Sequence, residues 1–400
     1  MPRSVDQVRA DIPFLSTGII YLDNAATTLK PQPVIDAMVE YFSEYGGNVG
    51  RGLHRSARMA TEAFEGAREE VAKVIRAKSE EIAFAKSTTE AINIVAEGLK
   101  FQRGDGIITS LFEHHSNLLP WQRLEAKRGV KLEIVGSSKE CLLDPSEFEA
   151  AIDGKTRLIT THHVSNSVGS LQPIKEIGRI ARDHGVLYLI DAAQSVGHMP
   201  VDVRDIGCDF LVAPGHKGLL GPQGTGFLYA REGRFNELEP LLVGGGIVEE
   251  VMPHSYKLVK PPQVFDAGTP NIPGIIGLGR ACEYVLDIGI EKIAERERKL
   301  TEMMKIENIN HVEIYGPRDR SRRCGLVSFN VEGLGHHDVA AMLDELASIA
   351  VRSGHHCAQP TMRHLHVEGT VRASVHYYNL ESEVEKFITM LEQIARELGG

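Results

Sequence analysis

The chain has 400 residues, more than one hydrophobic core usually organises, so a large domain accompanied by a smaller one is expected. Hydrophobic residues make up 42% and charged residues 24%, the composition of an ordinary globular chain. A net charge of −10 argues against a general nucleic-acid binder, which needs a basic face to neutralise phosphates.

The N-terminal stretch MPRSVDQVRADIPFLS alternates charged and apolar residues and lacks the apolar centre of a signal peptide. No run reaches the roughly eighteen apolar residues that a membrane helix needs, so neither a membrane nor a nucleic acid is expected as a partner. Further along, EIAFA at 81–85 reads as a strand and KSTTEAINIVAEGL as a helix, and GIITS at 106–110 reads as another strand. The clearest unit runs from Leu158–Thr161 through PIKEIGRIARDH to Val186–Ile190. Its middle piece puts Ile174, Ile177, Ile180 and Ala181 on one helical face, with Pro173 at its start and Gly185 at its end. The strand that follows is apolar throughout, as strands buried on both faces are. DFLVA at 209–213 repeats that texture. Strand, helix, strand in alternation predicts an α/β fold with a mostly parallel sheet flanked by helices.

From about residue 290 the texture changes to a charged helix (IEKIAERERKLTEMM), short strands near VEIYG and GLVSFNV, and a terminal helix from Glu381. That predicts a smaller α+β domain, joined through the Gly/Pro-rich segment FDAGTPNIPGIIGLG. The division expected is a large domain over 20–285 and a small one formed by 286–400 with residues 1–19. The five cysteines are odd in number and never spaced as CxxC, which suits a reducing cytoplasm and excludes a disulfide framework.

In an open α/β sheet ligands sit beyond the carboxyl ends of the parallel strands, and the residues that follow each strand carry chemistry. After EIAFA, Ser87 and Glu90 have capping-box spacing, and the hydroxyls of Ser87, Thr88 and Thr89 crowd a helix start that either is simply well capped or holds an anion. GIITS is followed by Glu113, His114 and His115, and LITT by His162, His163 and Asn166. Neither histidine pair has the i,i+4 spacing of a helical metal site. Asp191 ends a fully apolar strand, where a carboxylate needs a cationic partner. Lys217 leaves DFLVA within the glycine-rich loop GHKGLLGPQGTG; it is either an amine of lowered pKa or an electrostatic phosphate ligand. An anion site, an aspartate and a lysine at one sheet edge match the phosphate, the ring nitrogen and the aldehyde of pyridoxal phosphate. RSGHHC at 352–357 suggests a metal at first sight, but adjacent residues on a short loop rarely converge on one ion.

YLDNAATT, RGLH, STTEAINIVA, EHHSNLLPW, HVSNSVG, DAAQSVGHMPVD, GHK, FDAGTPN, RSGHHCAQP and VRASVHYYN together resemble the cysteine desulfurases of the class V aminotransferase superfamily, fold-type I pyridoxal-phosphate enzymes. The resemblance is closest to the SufS-like group that includes selenocysteine lyases, and it spans essentially the whole chain. It implies that Lys217 holds the cofactor covalently, that Asp191 pairs with the ring nitrogen, and that Gln194 bonds the ring oxygen. His115 would stack on the ring and shuttle protons, while Thr88, Thr89 and His216 would hold the phosphate. Thr269 would reach the phosphate of a second subunit, implying a homodimer. Asn166 and Arg372 would bind substrate L-cysteine, and Cys357 would take its sulfur as a persulfide for an acceptor or scaffold protein of Fe–S cluster or thio-cofactor assembly. A free thiol ionises near pH 8.5, so such a cysteine needs cationic or polar neighbours. Pro214 departs from the pattern, standing where the relatives carry a serine, so a second serine donor to the phosphate is not expected. Selenocysteine lyase, or another class V activity such as transamination or epimerisation, is the alternative reading. A transaminase has no use for the Cys357 thiol, whereas a selenocysteine lyase is harder to set apart.

Overall fold

The computed structural model describes residues 3–399. Seven strands form the principal sheet, in spatial order Ile82–Ala85, Gly226–Ala230, Phe210–Pro214, Leu187–Asp191, Thr156–His162, Gly106–Ser110 and Lys131–Val135. All neighbours run parallel except Gly226–Ala230, which is antiparallel to both of its partners. Every residue of Phe210–Pro214 and Gly226–Ala230 is buried, as expected of strands covered by helices on both faces. The expected helix after LITT spans Ile174–Asp183 and buries Ile174, Ile177, Ile180 and Ala181; Gly185 follows it with φ of 69°, a left-handed stop that a side chain would strain.

One expected linker is instead a core element. Most of FDAGTPNIPGIIGLG belongs to a 17-residue helix, Ile272–Ile288, whose buried face includes Ile275, Leu278, Cys282 and Val285. Its glycines are packing contacts rather than breaks. A Cβ on Gly279 would lie 2.5 Å from Cβ of Ala67, and one on Gly277 would lie 2.8 Å from Cγ of Met38. Helices Arg55–Val74 and Gln32–Glu40 can therefore approach it closely. Just upstream, the buried Arg68 guanidinium pairs with Asp266 at 2.7 Å and donates to the carbonyl of Ile82 at 2.8 Å. That ties the Thr269 segment to the edge of the principal sheet.

The second sheet has four antiparallel strands in the order Val312–Tyr315, Leu326–Val331, Thr370–Ser374 and Arg352–Gly354. Its own apolar cluster includes Val327, Phe329, Val371, Leu343 and Phe387, joined by Ile20 and Leu22 from near the N-terminus. Val8 and Ile12, by contrast, pack into the larger cluster under the principal sheet. Ile20–Tyr21 pairs in parallel with Ile349–Ala350, and Asp23 bridges to Ser374, so the YLDNAATT segment lies along the seam between the sheets.

Candidate active site

The carboxyl ends of the parallel strands and the edge of the second sheet enclose one cavity. Its walls include Thr88, Thr89, His114, Asp191, Lys217 and Cys357. Gln194, His216, Asn166 and Arg372 line it as well, so most of the expected site residues come together.

Local structure explains how Lys217 is held. It follows the last buried strand residue by three positions, and the peptide around it is gripped from below. Thr28 donates from its N–H to the carbonyl of His216 at 2.9 Å and from Oγ1 to that of Lys217 at 2.8 Å. Gly197 lies so close beneath that a Cβ there would fall 2.3 Å from the carbonyl carbon of Gly218. Deeper still, Glu297 accepts from His198 Nδ1 at 3.0 Å, and His376 Nε2 lies 3.8 Å from the same carboxylate while facing the carbonyl of Gly218 at 3.3 Å. The charged helix Ile290–Met303 thus reaches under the lysine loop. Among the described residues, His198, Glu297 and His376 form the one group spaced closely enough to share a metal ion, and it lies away from RSGHHC.

Electrostatics follow from burial. Lys217 is pushed down to about 8 by burial, with Asp191 opposing and Arg372 adding to the shift. Asp191 is pushed up to about 6 by burial, against the pull of the Ala193 N–H it accepts at 3.0 Å and the nearby Lys217 charge. Helix Thr88–Gly98 opens onto the cavity with Ser87 as its N-cap, accepting from the Glu90 N–H at 3.2 Å. The expected reciprocal bond is displaced by one residue, because the Glu90 carboxylate takes the N–H of Lys86 at 2.6 Å. At that helix start the buried Thr88 hydroxyl has no protein partner, while Thr89 Oγ1 meets Ser116 Oγ at 2.7 Å. His216 is pushed down to about 4 by burial and the neighbouring lysines. An orphaned hydroxyl at a helix N-terminus, a buried carboxylate and a lysine of lowered basicity fit the phosphate, the ring nitrogen and the aldehyde of pyridoxal phosphate.

Two of the expected residues do not line this cavity, and one of them, Thr269, is expected at a second subunit's phosphate rather than here. His115 does not line the cavity; its neighbour His114 does. His114 Nδ1 accepts from the Ser116 N–H at 3.0 Å, and burial followed by the Lys217 charge pushes the imidazole down to about 3. The ring facing the cavity is therefore neutral, with its hydrogen on Nε2. His115 turns the other way, toward the Cys357 loop, because the chain between strand and helix is an irregular turn (His115–Asn117 is a short 3-10 segment) that splits adjacent side chains. Thr269 is also outside this cavity: it is exposed and lines a separate groove with Leu241, Leu242 and Phe265.

The substrate side contains residues that sequence reasoning missed. Arg352 and Arg372 lie directly opposite on neighbouring antiparallel strands, a like-charge pair that would repel. Asp23 sits between them, accepting from Arg352 Nη2 at 2.7 Å and from Arg372 Nη2 at 3.4 Å. Arg372 also donates to the carbonyl of Asn166 at 2.7 Å, and its buried Nε has no partner. Beneath, a fully buried Glu113 accepts from the ring of His162 at 2.7 Å and from Asn117 at 2.7 Å, fixing the turn that carries His114. The cue for Asp23 was its place before an otherwise small and polar run, NAATT, which nothing in local periodicity marks as contacting a strand some 350 residues away.

Cys357 stands at the cavity's lip. Of the five thiols it alone among the described residues is exposed; burial raises Cys141 and Cys324 to about 12 and pushes Cys208 and Cys282 higher.

The family described as aminotransferase class V matches residues 20–387. A probable cysteine desulfurase of Pyrococcus abyssi is 49% identical over 400 residues, covering 99% of each chain. One from Methanothermobacter thermautotrophicus is 51% identical over 395 residues, covering 98% of each. Among solved structures, the apo cysteine desulfurase of Thermococcus onnurineus superposes with a TM-score of 0.96 at 48% identity, over 100% of both chains. The cysteine desulfurase CsdA of Escherichia coli gives 0.92 at 33% identity, again over 100% of both.

Proposed function

This chain belongs to the aminotransferase class V family and is a cysteine desulfurase, and we propose that it frees alanine from L-cysteine by moving the sulfur onto Cys357. The observation that carries this reading is the single exposed thiol on the wall of the cavity that also holds Lys217 and Asp191. Lys217 would carry pyridoxal phosphate, Thr88, Thr89 and His216 its phosphate, Asp191 its ring nitrogen and Gln194 its ring oxygen. When bound, the cofactor supplies an aldehyde for the substrate amine and a ring that withdraws electrons from the substrate carbons.

The chain's own groups do the rest. The Arg372 guanidinium would receive the substrate carboxylate: its Nε has no protein partner, while its Nη groups are held by the Asn166 carbonyl and Asp23. Lys217 Nζ, neutral in part near pH 8, would be the base that takes the proton from the substrate Cα. The Cys357 thiolate attacks the substrate sulfur; an S–S bond forms, the substrate C–S bond breaks, and its electron pair stays with the carbon. That carbon takes a proton and leaves as alanine, while the enzyme keeps a persulfide. His114, neutral and facing the cavity, would take the ring-stacking place expected of His115.

An exposed Cys357 suits transfer to an acceptor or scaffold protein of Fe–S cluster or thio-cofactor assembly. A homodimer is supported by exposed Leu242, Val251, Met252 and Tyr256 on and beside the hairpin Val248–Leu258, next to exposed Thr269, which would reach the second subunit's phosphate. Five free thiols suit a reducing cytoplasm, and no described helix is long and apolar enough to cross a membrane.

The deciding experiment supplies the cofactor-loaded protein with L-cysteine and with L-selenocysteine, and measures alanine with sulfide or selenide. Cysteine turnover in the wild type that falls by roughly 10²-fold in Cys357→Ala, with the cofactor absorbance kept, is expected. Wild-type turnover of selenocysteine alone would overturn the reading in favour of a selenocysteine lyase.

A further inference from the structure

The Cys357 loop is unusual backbone. His356 and Cys357 have φ of 51° and 54°, two successive L residues in the left-handed region that side chains seldom occupy. Such a conformation persists only where the surroundings over-determine it. The contacts that do so come from four places. The His356 carbonyl accepts from Asn166 Nδ2 at 2.7 Å, and its imidazole Nε2 meets Thr370 Oγ1 at 2.9 Å. The Cys357 N–H donates to His355 Nδ1 at 3.2 Å, and the Ala358 N–H to the His355 carbonyl at 2.8 Å.

His115 supplies the remaining two. Its own N–H donates to the Cys357 carbonyl at 2.8 Å. Its Nε2 accepts from the N–H of Gln359 at 3.3 Å. That amide opens the short helix Gln359–His364, whose N-cap is Ala358, a residue with no side chain able to satisfy it. One residue, 244 positions from Gln359 in the chain, thus holds the backbone on the C-terminal side of Cys357 at two points. We propose that His115 is a positioning residue whose imidazole caps the amide of Gln359 and so fixes the loop that presents the Cys357 thiol to the cavity. The ring must be an acceptor to do this, and burial together with His355, whose ring lies 5.9 Å away, keeps its protonation below the ordinary histidine range.

This inference rests on Cys357 as the sulfur acceptor, and two readouts keep the two claims apart. On the cofactor-loaded enzyme, amide hydrogen exchange over residues 358–363 is compared between wild type, His115→Ala and His115→Gln, whose side-chain oxygen can accept the same bond. His115→Ala should exchange about tenfold faster at Gln359 and lose about fivefold or more in kcat for alanine at unchanged KM. His115→Gln should restore both. Unchanged exchange in His115→Ala would overturn the proposal. So would a kcat that His115→Gln leaves as low as His115→Ala, since the imidazole would then act by carrying a proton. If wild type does not turn over cysteine at all, the desulfurase reading falls while the exchange comparison still decides the clamp.

Discussion

Lys217 and Cys357 face one cavity but are held by contrasting means. The lysine follows a strand whose residues are all buried, and its peptide is gripped by Thr28, by the backbone at Gly197 and by the His198–Glu297–His376 cluster below. The cysteine stands exposed on a loop in a left-handed conformation, held by one hydrogen bond each with Asn166 and Thr370 and by two with His115. Core packing fixes the group that anchors a cofactor, and a few long-range polar contacts fix the group that must meet both substrate and an external acceptor. Loss of one contact should be absorbed at the lysine and felt at the cysteine.

That contrast can be broken at its strongest point first. Lys217→Ala should abolish stable cofactor attachment and lower cysteine turnover on the order of 10³-fold, read as lost visible absorbance and lost alanine. Persistence of the absorbance would mean that another amine holds the cofactor, and the buried floor would lose its assigned role. Next, Asp23→Asn removes the charge between Arg352 and Arg372 while keeping the side chain's shape. The two arginines then repel across the strand pair, and KM for cysteine should rise about tenfold with a smaller change in kcat. An unchanged KM would show that Arg372 is positioned without Asp23.

The smallest effect concerns pH. Burial leaves Lys217 neutral above about 8, and only the neutral amine attacks an aldehyde. The sign is therefore fixed: the rate of loading pyridoxal phosphate onto apoprotein should rise as pH increases through about 8, and level off above it. An ordinary exposed lysine would keep rising toward pH 10. Below about 6 Asp191 of the apoprotein gains a proton, so loading of the cofactor should weaken there, seen as a higher cofactor concentration needed for half-saturation.

Much of the floor was legible in the sequence, because fully apolar strands announce themselves and their carboxyl ends collect ligand groups. Asp191 and Lys217 are read that way, as are the hydroxyls after EIAFA. The choice between His114 and His115 was not legible. Both lie in an irregular turn, where neither a period of 2 nor one of 3.6 says which side chain faces inward. Asp23 and Arg352 were also hidden, since their meeting depends on the N-terminal segment lying against the second sheet. The helix Ile272–Ile288 was obscured for a different reason. Glycine in a helical run reads as a break, yet Gly277 and Gly279 are there because neighbouring helices come too close for any side chain.

The seclusion of four thiols has a practical corollary. Cys141, Cys208 and Cys282 are buried, Cys324 is half-buried, and all four are hard to ionise, so a bulky maleimide at neutral pH should titrate one equivalent per folded chain. The mass of that single adduct would then report, molecule by molecule, whether the labelled position carried a bare thiol or one already loaded with cargo.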